Sequence, residues 1–297
     1  MTNLRCAMPR GAAVAAIPAV LLGAAAGLLG CGGDSGQAQS GAETLARIKR
    51  DGVVRWGADP AGGAPYAFFD PKEPEKVVGL EIDIMDRLAG HMGVKHQMVR
   101  SAWGSLLEGL KARRSDLVIN GIGIDAERQK GFAFSKPYYR YEQMLTVRAA
   151  DKDKYRSLAD LQGRKVGTLG GAQANRVLQA AGFSKELLSP CEDLSTPYQQ
   201  LELGRVEAVL QEQPIAEWYA GPNARLFNVP RTFAPGRYAV AMRQEDAGLV
   251  AEVDRVLELM KKNGELAAIY RKWKLLNGAQ KELGIVEKAA APGKNDP

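Results

Sequence analysis

An arginine, a glutamate and two glycine-bearing turns are the residues of this chain whose types and spacing promise chemistry. Arg128 follows "INGIGID", a glycine-containing loop at the end of an apolar run, and sits at the start of a helical pattern. "LGGAQ", ending at Gln173, is a second glycine turn leading into a helix, and a helix N-terminus favours anions. Glu212, in "LQEQP", closes another apolar run. A guanidinium grips a carboxylate through two parallel hydrogen bonds, and free backbone N–H groups add to that grip. A carboxylate accepts hydrogen bonds from an ammonium. Taken alone, Arg128 reads as a solvated helix charge and Glu212 as an exposed strand-end charge.

Other reactive side chains offer less. His91 and His96 stand five apart, whereas a helical metal pair wants i, i+4, so no metal is expected. Cys191 has no nearby histidine and reads as a structural residue. No nucleophile–base pairing is visible. Asp59 follows an apolar run; it either meets a cationic group or caps the loop before Pro60.

Those residues need a folded frame, and the composition provides for one. The chain has 297 residues, 45% hydrophobic and 25% charged, which suits one large domain or two ordinary ones. The formal net charge of +6 is spread without a dense Lys/Arg block, which argues against nucleic acid as a partner. At the start, Arg5 and Arg10 precede an apolar stretch up to Gly30 that is broken by Pro18, the build of an export signal or of a membrane anchor. "LLGC" (Leu28 to Cys31) resembles the bacterial lipobox. That resemblance implies cleavage before Cys31 and lipid on its thiol, holding the chain to a membrane. The Gly/Ser/Gln-rich stretch after it reads as a tether.

From Val53 onward, short apolar runs alternate with helical patterns. "VVRWGAD" and "DLVING" read as strands. In "IDIMDRLAGHMG" the residues Met85, Leu88, Ala89 and Met92 form one helical stripe, stopped by Gly93. A second unit repeats the scheme with "GRKVGTLGG", "AQANRVLQAAG", "RVEAVLQEQ" and "PIAEWYA". This pattern predicts an α/β architecture: two lobes, each a mainly parallel sheet flanked by helices. "YYRYEQMLTVR" and "GRYAVAMR" would be the two hinge crossings, with a ligand cleft between the lobes.

The stretch "LEIDIMDRLAGHMGVKHQMVRSAWGSLLEGLKARRSDLVINGIGIDAERQKGFAFSKPYY" resembles the first lobe of the bacterial extracellular solute-binding proteins of family 3. "LADLQGRKVGTLGGAQ", "GRVEAVLQEQPIAEWYA" and "GELAAIYRKWKLL" match later blocks in order, so the likeness runs from about Leu45 to Leu276. The resemblance implies the type II periplasmic-binding-protein fold and the receptor of an ABC importer that presents an amino acid to an inner-membrane permease. It implies that Arg128 and the Gly123 and Ala172 N–H groups bind the carboxylate, while Glu212 and the Gly121 carbonyl take the ammonium. It leaves Trp103 and Tyr66 to supply an apolar wall and Gln173 a polar contact.

Departures from the family pattern matter. Glu212 stands where Asp is usual, and the extra methylene moves its carboxylate about 1.5 Å into the cleft, unless Gln211 or Gln213 shares the role. Hydroxyls common at positions 123 and 172 are missing, and "AGGAP" replaces the usual aromatic residue of the first loop. No "GxxxxGK[ST]" occurs, so ATP hydrolysis belongs to a separate chain. A cyclohexadienyl-type dehydratase on this fold, with Glu212 as general acid, and a sensor without transport are the alternatives. The expected layout is a signal at 1–30, a tether at 31–43, lobe one at 44–141, lobe two at 142–242, a return to lobe one at 243–277 and a loose tail at 278–297. A monomer without cofactor is expected.

Overall fold

The apolar stripe of the helix running from Leu80 to Met92 shows how the sequence builds its frame. Met85, Leu88, Ala89 and Met92 are all buried, and Gly93 ends the helix at φ 69°, a conformation glycine adopts without steric cost. The computed structural model describes residues 41–285. The expected signal, Cys31 and most of the tether lie outside the described residues, as does the chain beyond Ile285.

Lobe one begins with α1 (Gly41–Asp51), β1 (Val53–Ala58), the short pair β2 (Phe68–Phe69) and β3 (Val77–Val78), and α2 (Leu80–Met92). It continues with β4 (Lys95–Arg100), α3 (Leu106–Lys111), β5 (Leu117–Val118), α4 (Ala126–Gln129) and β6 (Phe132–Phe134). Lobe two holds β7 (Tyr139–Arg148), β8 (Val166–Leu169), α5 (Gln173–Ala180), β9 (Leu188–Cys191), α6 (Thr196–Glu202), β10 (Ala208–Glu212), α7 (Gln213–Tyr219) and β11 (Leu226–Tyr238). The chain then returns to lobe one with β12 (Ala241–Arg243), α8 (Ala247–Asn263) and α9 (Glu265–Lys272).

The first sheet has the order β4-β1-β5-β12-β6 and the second β11-β7-β10-β8-β9. The α/β, two-lobed architecture is present, but the sheets are mixed rather than mainly parallel. β1 runs parallel to β4 and β5, while β12 is antiparallel to β5 and β6. In the second sheet β8 is parallel to β9 and β10, and β7 is antiparallel to β10 and β11. The antiparallel members are the strands that follow or form the crossings, which enter each sheet from the far side.

The expected boundaries shift by a few residues. Tyr139 to Tyr141 already pair with β11 in the second sheet, and Ala241 and Met242 are already in the first. α1 takes in residues 41–43, expected in the tether, and buries Thr44 and Ile48. The tail is corrected more strongly. Residues 278–283 form a 3₁₀ turn whose Gln280, fully buried, accepts from the Arg140 N–H at 3.0 Å and donates to the Arg140 carbonyl at 2.8 Å. Ile285 is buried as well. A polar composition concealed one glutamine that ties this segment to the start of β7 and one isoleucine that is buried.

Lobe one is cored by Val54, Trp56, Ile84 and Leu88 against Leu249, Val253 and Leu257 of α8. Each such side chain contributes about 1.5–3 kcal/mol through burial. Lobe two has its own cluster, including Leu145, Val166, Leu178 and Leu210. Among the described residues no helix is long and apolar enough to cross a membrane.

Candidate functional site

Three loops of lobe one and the ends of β8 and β10 in lobe two meet around one cavity. It spans about 400 Å³, part of it open to solvent, and is lined by Asp59, Tyr66, Trp103, Asn120 and Gly121 from lobe one. Leu169, Ala172, Glu192, Leu194, Glu212 and Ile215 line it from lobe two, with Tyr238 at the return crossing.

The lobe-one wall is held by the loop after β5. Gly121 lies at φ +62°, and a Cβ there would press on the Tyr66 ring at 3.2 Å, so both backbone and space call for glycine. Its N–H donates to Glu81 Oε1 at 2.8 Å. Glu81 is fully buried in α2 and also accepts from the Tyr138 hydroxyl; burial pushes its carboxyl up to about 7, against the pull of those two bonds. Glu81 and Tyr138 were not foreseen, because an acid in the first turn of a helix reads as a solvated dipole partner.

Trp103 lines the cavity and is fixed by its indole N–H, which donates to the Asn120 carbonyl at 3.2 Å. Tyr66 also lines the cavity, its hydroxyl bonded to that of Tyr238. Asp59 reaches the cavity, but Oδ1 accepts from the Ala61 and Gly62 N–H groups at 3.0 and 2.9 Å and Oδ2 from the Trp103 N–H at 2.8 Å. The structure thus gives Asp59 the loop-capping role among its two readings.

Arg128, Gly123 and Gln173 do not line the cavity; they stand together beside it. Gly123 bridges to Tyr238 through Ile124 N–H to Arg237 O and Ala239 N–H to Ile122 O, which leaves the Gly123 N–H out of the bridge. Asp125 caps α4, accepting from the N–H groups of Glu127 and Arg128. The Arg128 guanidinium donates to the Gly123 carbonyl at 2.8 Å and, across the cleft, to the Gly171 carbonyl at 3.4 Å. It lies 5.5 Å over the Trp103 ring and 3.5 Å from Asp125. Burial lowers its pKa, with Asp125 opposing.

In lobe two the Ala172 N–H, expected to face a carboxylate, donates to the Leu169 carbonyl at 3.3 Å. Gln173 opens α5, and its Oε1 accepts from the Tyr141 hydroxyl. Glu212 is 6% exposed. Burial raises its pKa; its own N–H, Gln143 opposite on β7, and the fields of Arg128 and Arg176 offset part of this. Neither arginine forms an ion pair with it; Arg176 instead pairs with Asp125 across the cleft at 2.8 Å. Gln211 and Gln213 do not share its role. Gln211 points to the other face of β10 and is fully buried, and Gln213 donates to Glu217.

The lobes touch beyond the cavity. Leu194 N–H donates to the Gly62 carbonyl at 2.9 Å, and Trp218 of α7 meets Phe68 edge-on at 5.2 Å and Trp273 at 6.1 Å. A Cβ on Gly63 (φ +126°) would lie 2.5 Å from the Tyr219 hydroxyl, so the "AGGAP" loop is a lobe-to-lobe contact. Cys191 is a free, mostly buried thiol whose pKa burial raises, which disfavours the thiolate. His91 bonds Glu265, and His96 sits between Trp56 and Asp86. No group of three metal-ligating side chains occurs among the described residues.

Two lobes joined by two crossings around a charged cleft define a ligand-binding protein of the two-lobed kind. Residues 54–276 match the model of the bacterial extracellular solute-binding proteins, family 3, and the chain belongs to that family. It is 28% identical over 230 residues to the L-cystine-binding protein TcyJ of Escherichia coli K12, covering 77% of this chain and 85% of that protein. An amino acid ABC transporter substrate-binding protein from Streptococcus pneumoniae, bound to L-arginine, superposes with a TM-score of 0.72 at 27% identity, covering 80% of this chain and 99% of that one. The ancestral amino acid-binding protein AncCDT-1, a precursor of cyclohexadienyl dehydratase, gives 0.70 at 30% identity, covering 77% and 99%. These relatives are binding proteins rather than enzymes.

Proposed function

We propose that this chain is the solute-binding receptor of an ABC importer, capturing an α-amino acid between its lobes and presenting it to a membrane permease. One observation carries the reading: Arg128 in lobe one and Glu212 in lobe two bring opposite charges to the same cleft. A ligand with carboxylate and ammonium on one carbon answers both, and by touching both lobes it favours the closed form. The carboxylate meets Arg128 and the Gly123 N–H; the ammonium meets Glu212, with Trp103 and Tyr66 as walls. The names of the relatives support an amino acid as cargo. The family supports a place in the periplasm or cell envelope. Anchoring through Cys31 and action as a monomer complete the proposal.

The test is a thermal-shift screen of the purified protein against the twenty amino acids and L-cystine. A ligand well above its Kd raises the midpoint because it binds only the folded state. The expected result is a clear shift with at least one amino acid, abolished by Arg128→Ala. No shift with any α-amino acid overturns the assignment. Turnover of prephenate or arogenate would establish the dehydratase instead, with Glu212 as proton donor.

A further inference from the structure

We infer that the Tyr141 hydroxyl belongs to the carboxylate-binding subsite, standing where a side chain on residue 123 would otherwise reach. The inference rests on the amino-acid reading above and deepens it. Three observations place the hydroxyl. A Cβ built on Gly123 would lie 2.7 Å from Tyr141 Oη and 3.6 Å from Arg128 Nη1, so the phenol fills that volume beside the guanidinium. The ring is fixed there by stacking on Tyr238, with centroids 4.2 Å apart. The path to that position is open because residue 236 is glycine; a Cβ there would run into the Tyr141 ring and crowd Gln173 Oε1.

The hydroxyl is also connected to the opposite side of the subsite. Its proton goes to Gln173 Oε1, at the start of α5. A phenol has one proton and two lone pairs, and a side-chain amide presents either its oxygen or its NH₂ group. When a carboxylate arrives beside Arg128, the O–H turns to this stronger acceptor and the Gln173 amide turns its NH₂ to the phenol oxygen. Tyr141 and Gln173 then act as one relay of donors. Burial keeps the phenol neutral, so the proton is available to give.

Titration calorimetry on four proteins tests this, with the amino acid that gives the largest thermal shift among the twenty and L-cystine. Tyr141→Phe keeps the ring and removes the hydroxyl; the expected loss is about 10-fold to 100-fold in affinity, the range for a hydrogen bond to a charged group. Adding Gly123→Ser to that variant places a new hydroxyl in the freed space, since Gly123 lacks a positive φ. Most of the affinity should return. Adding Gly123→Ala instead fills the space without a hydroxyl and should not restore it. Wild-type affinity in Tyr141→Phe, or equal rescue by Ala and Ser, overturns the role of the hydroxyl while Arg128→Ala still reports on the parent reading. Absence of binding by the unaltered protein overturns both.

Discussion

The two charged poles of the cleft are built in opposite ways. Arg128 is surrounded by partners: two carbonyls, the Asp125 carboxylate and the face of Trp103. Glu212 is more deeply buried, yet neither Arg128 nor Arg176 makes an ion pair with it, and burial raises its pKa. The positive pole is assembled mainly by its own lobe, with the Gly171 carbonyl added from across the cleft. The negative pole carries a burial cost that its neighbours offset only in part, and a buried charge without an ion-pair partner is expensive. On the proposed function, binding free energy then has two sources: new hydrogen bonds to the ligand at one pole and a penalty relieved at the other.

Glu212→Gln separates them most sharply. Affinity for the amino acid should fall roughly 10- to 100-fold, while the ligand-free protein becomes more stable, by about 2–4 °C in midpoint at neutral pH. Because the folded-state pKa of Glu212 is raised, the wild type binds protons more tightly when folded and loses stability as pH rises above the ordinary carboxylate range. The gain from Gln should thus shrink towards pH 4, which calorimetry at several pH values would show. A destabilised Glu212→Gln protein would mean the cost is already met by neighbours.

Glu81 sharpens the comparison from the lobe-one side. Its carboxyl titrates near 7 in the folded state against 4.5 for an ordinary glutamate. Stability should decline between those values as pH rises and level off above about 7, by on the order of 3 kcal/mol if the full shift is expressed. Glu81→Gln keeps an acceptor for the Gly121 N–H and should flatten that decline in a pH series of denaturant titrations. The smallest effect is expected at Trp218, which touches no ligand-facing group. Trp218→Ala removes the edge-on contact to Phe68 and the tilted contact to Trp273. It should weaken binding roughly two- to tenfold by disfavouring closure, read by calorimetry, with little change in which amino acid is preferred.

Much of this was legible in the residues. The stripe of α2, the glycine stops, the strand–helix alternation and the positions of Arg128, Glu212, Trp103 and Gly121 follow from local pattern or from likeness to the family. What escaped was set by distant partners. Tyr141 occupies its place because residues 123 and 236, far apart in sequence, are both glycine. Nothing local marks Glu81, an acid in the first turn of a helix, as buried; its partners Gly121 and Tyr138 come from distant parts of the chain. Residues 278–285 looked loose because the bonds that secure them, from Gln280 and Glu282, go to Arg140, more than a hundred residues away.

The first sheet has a gap in its middle until late in the chain. β12 lies between β5 and β6, so β6 has no partner in the sheet and β5 has only β1 until Ala241 to Arg243 is available. Lobe two, by contrast, is continuous from Tyr139 to Tyr238. For a polypeptide made or threaded N-terminus first, the second lobe has all its strands before the first does. The lobe that begins the chain is thus the later one to have its strands complete, and a chain truncated just before β12 keeps β4, β1 and β5 paired with the β5 edge open.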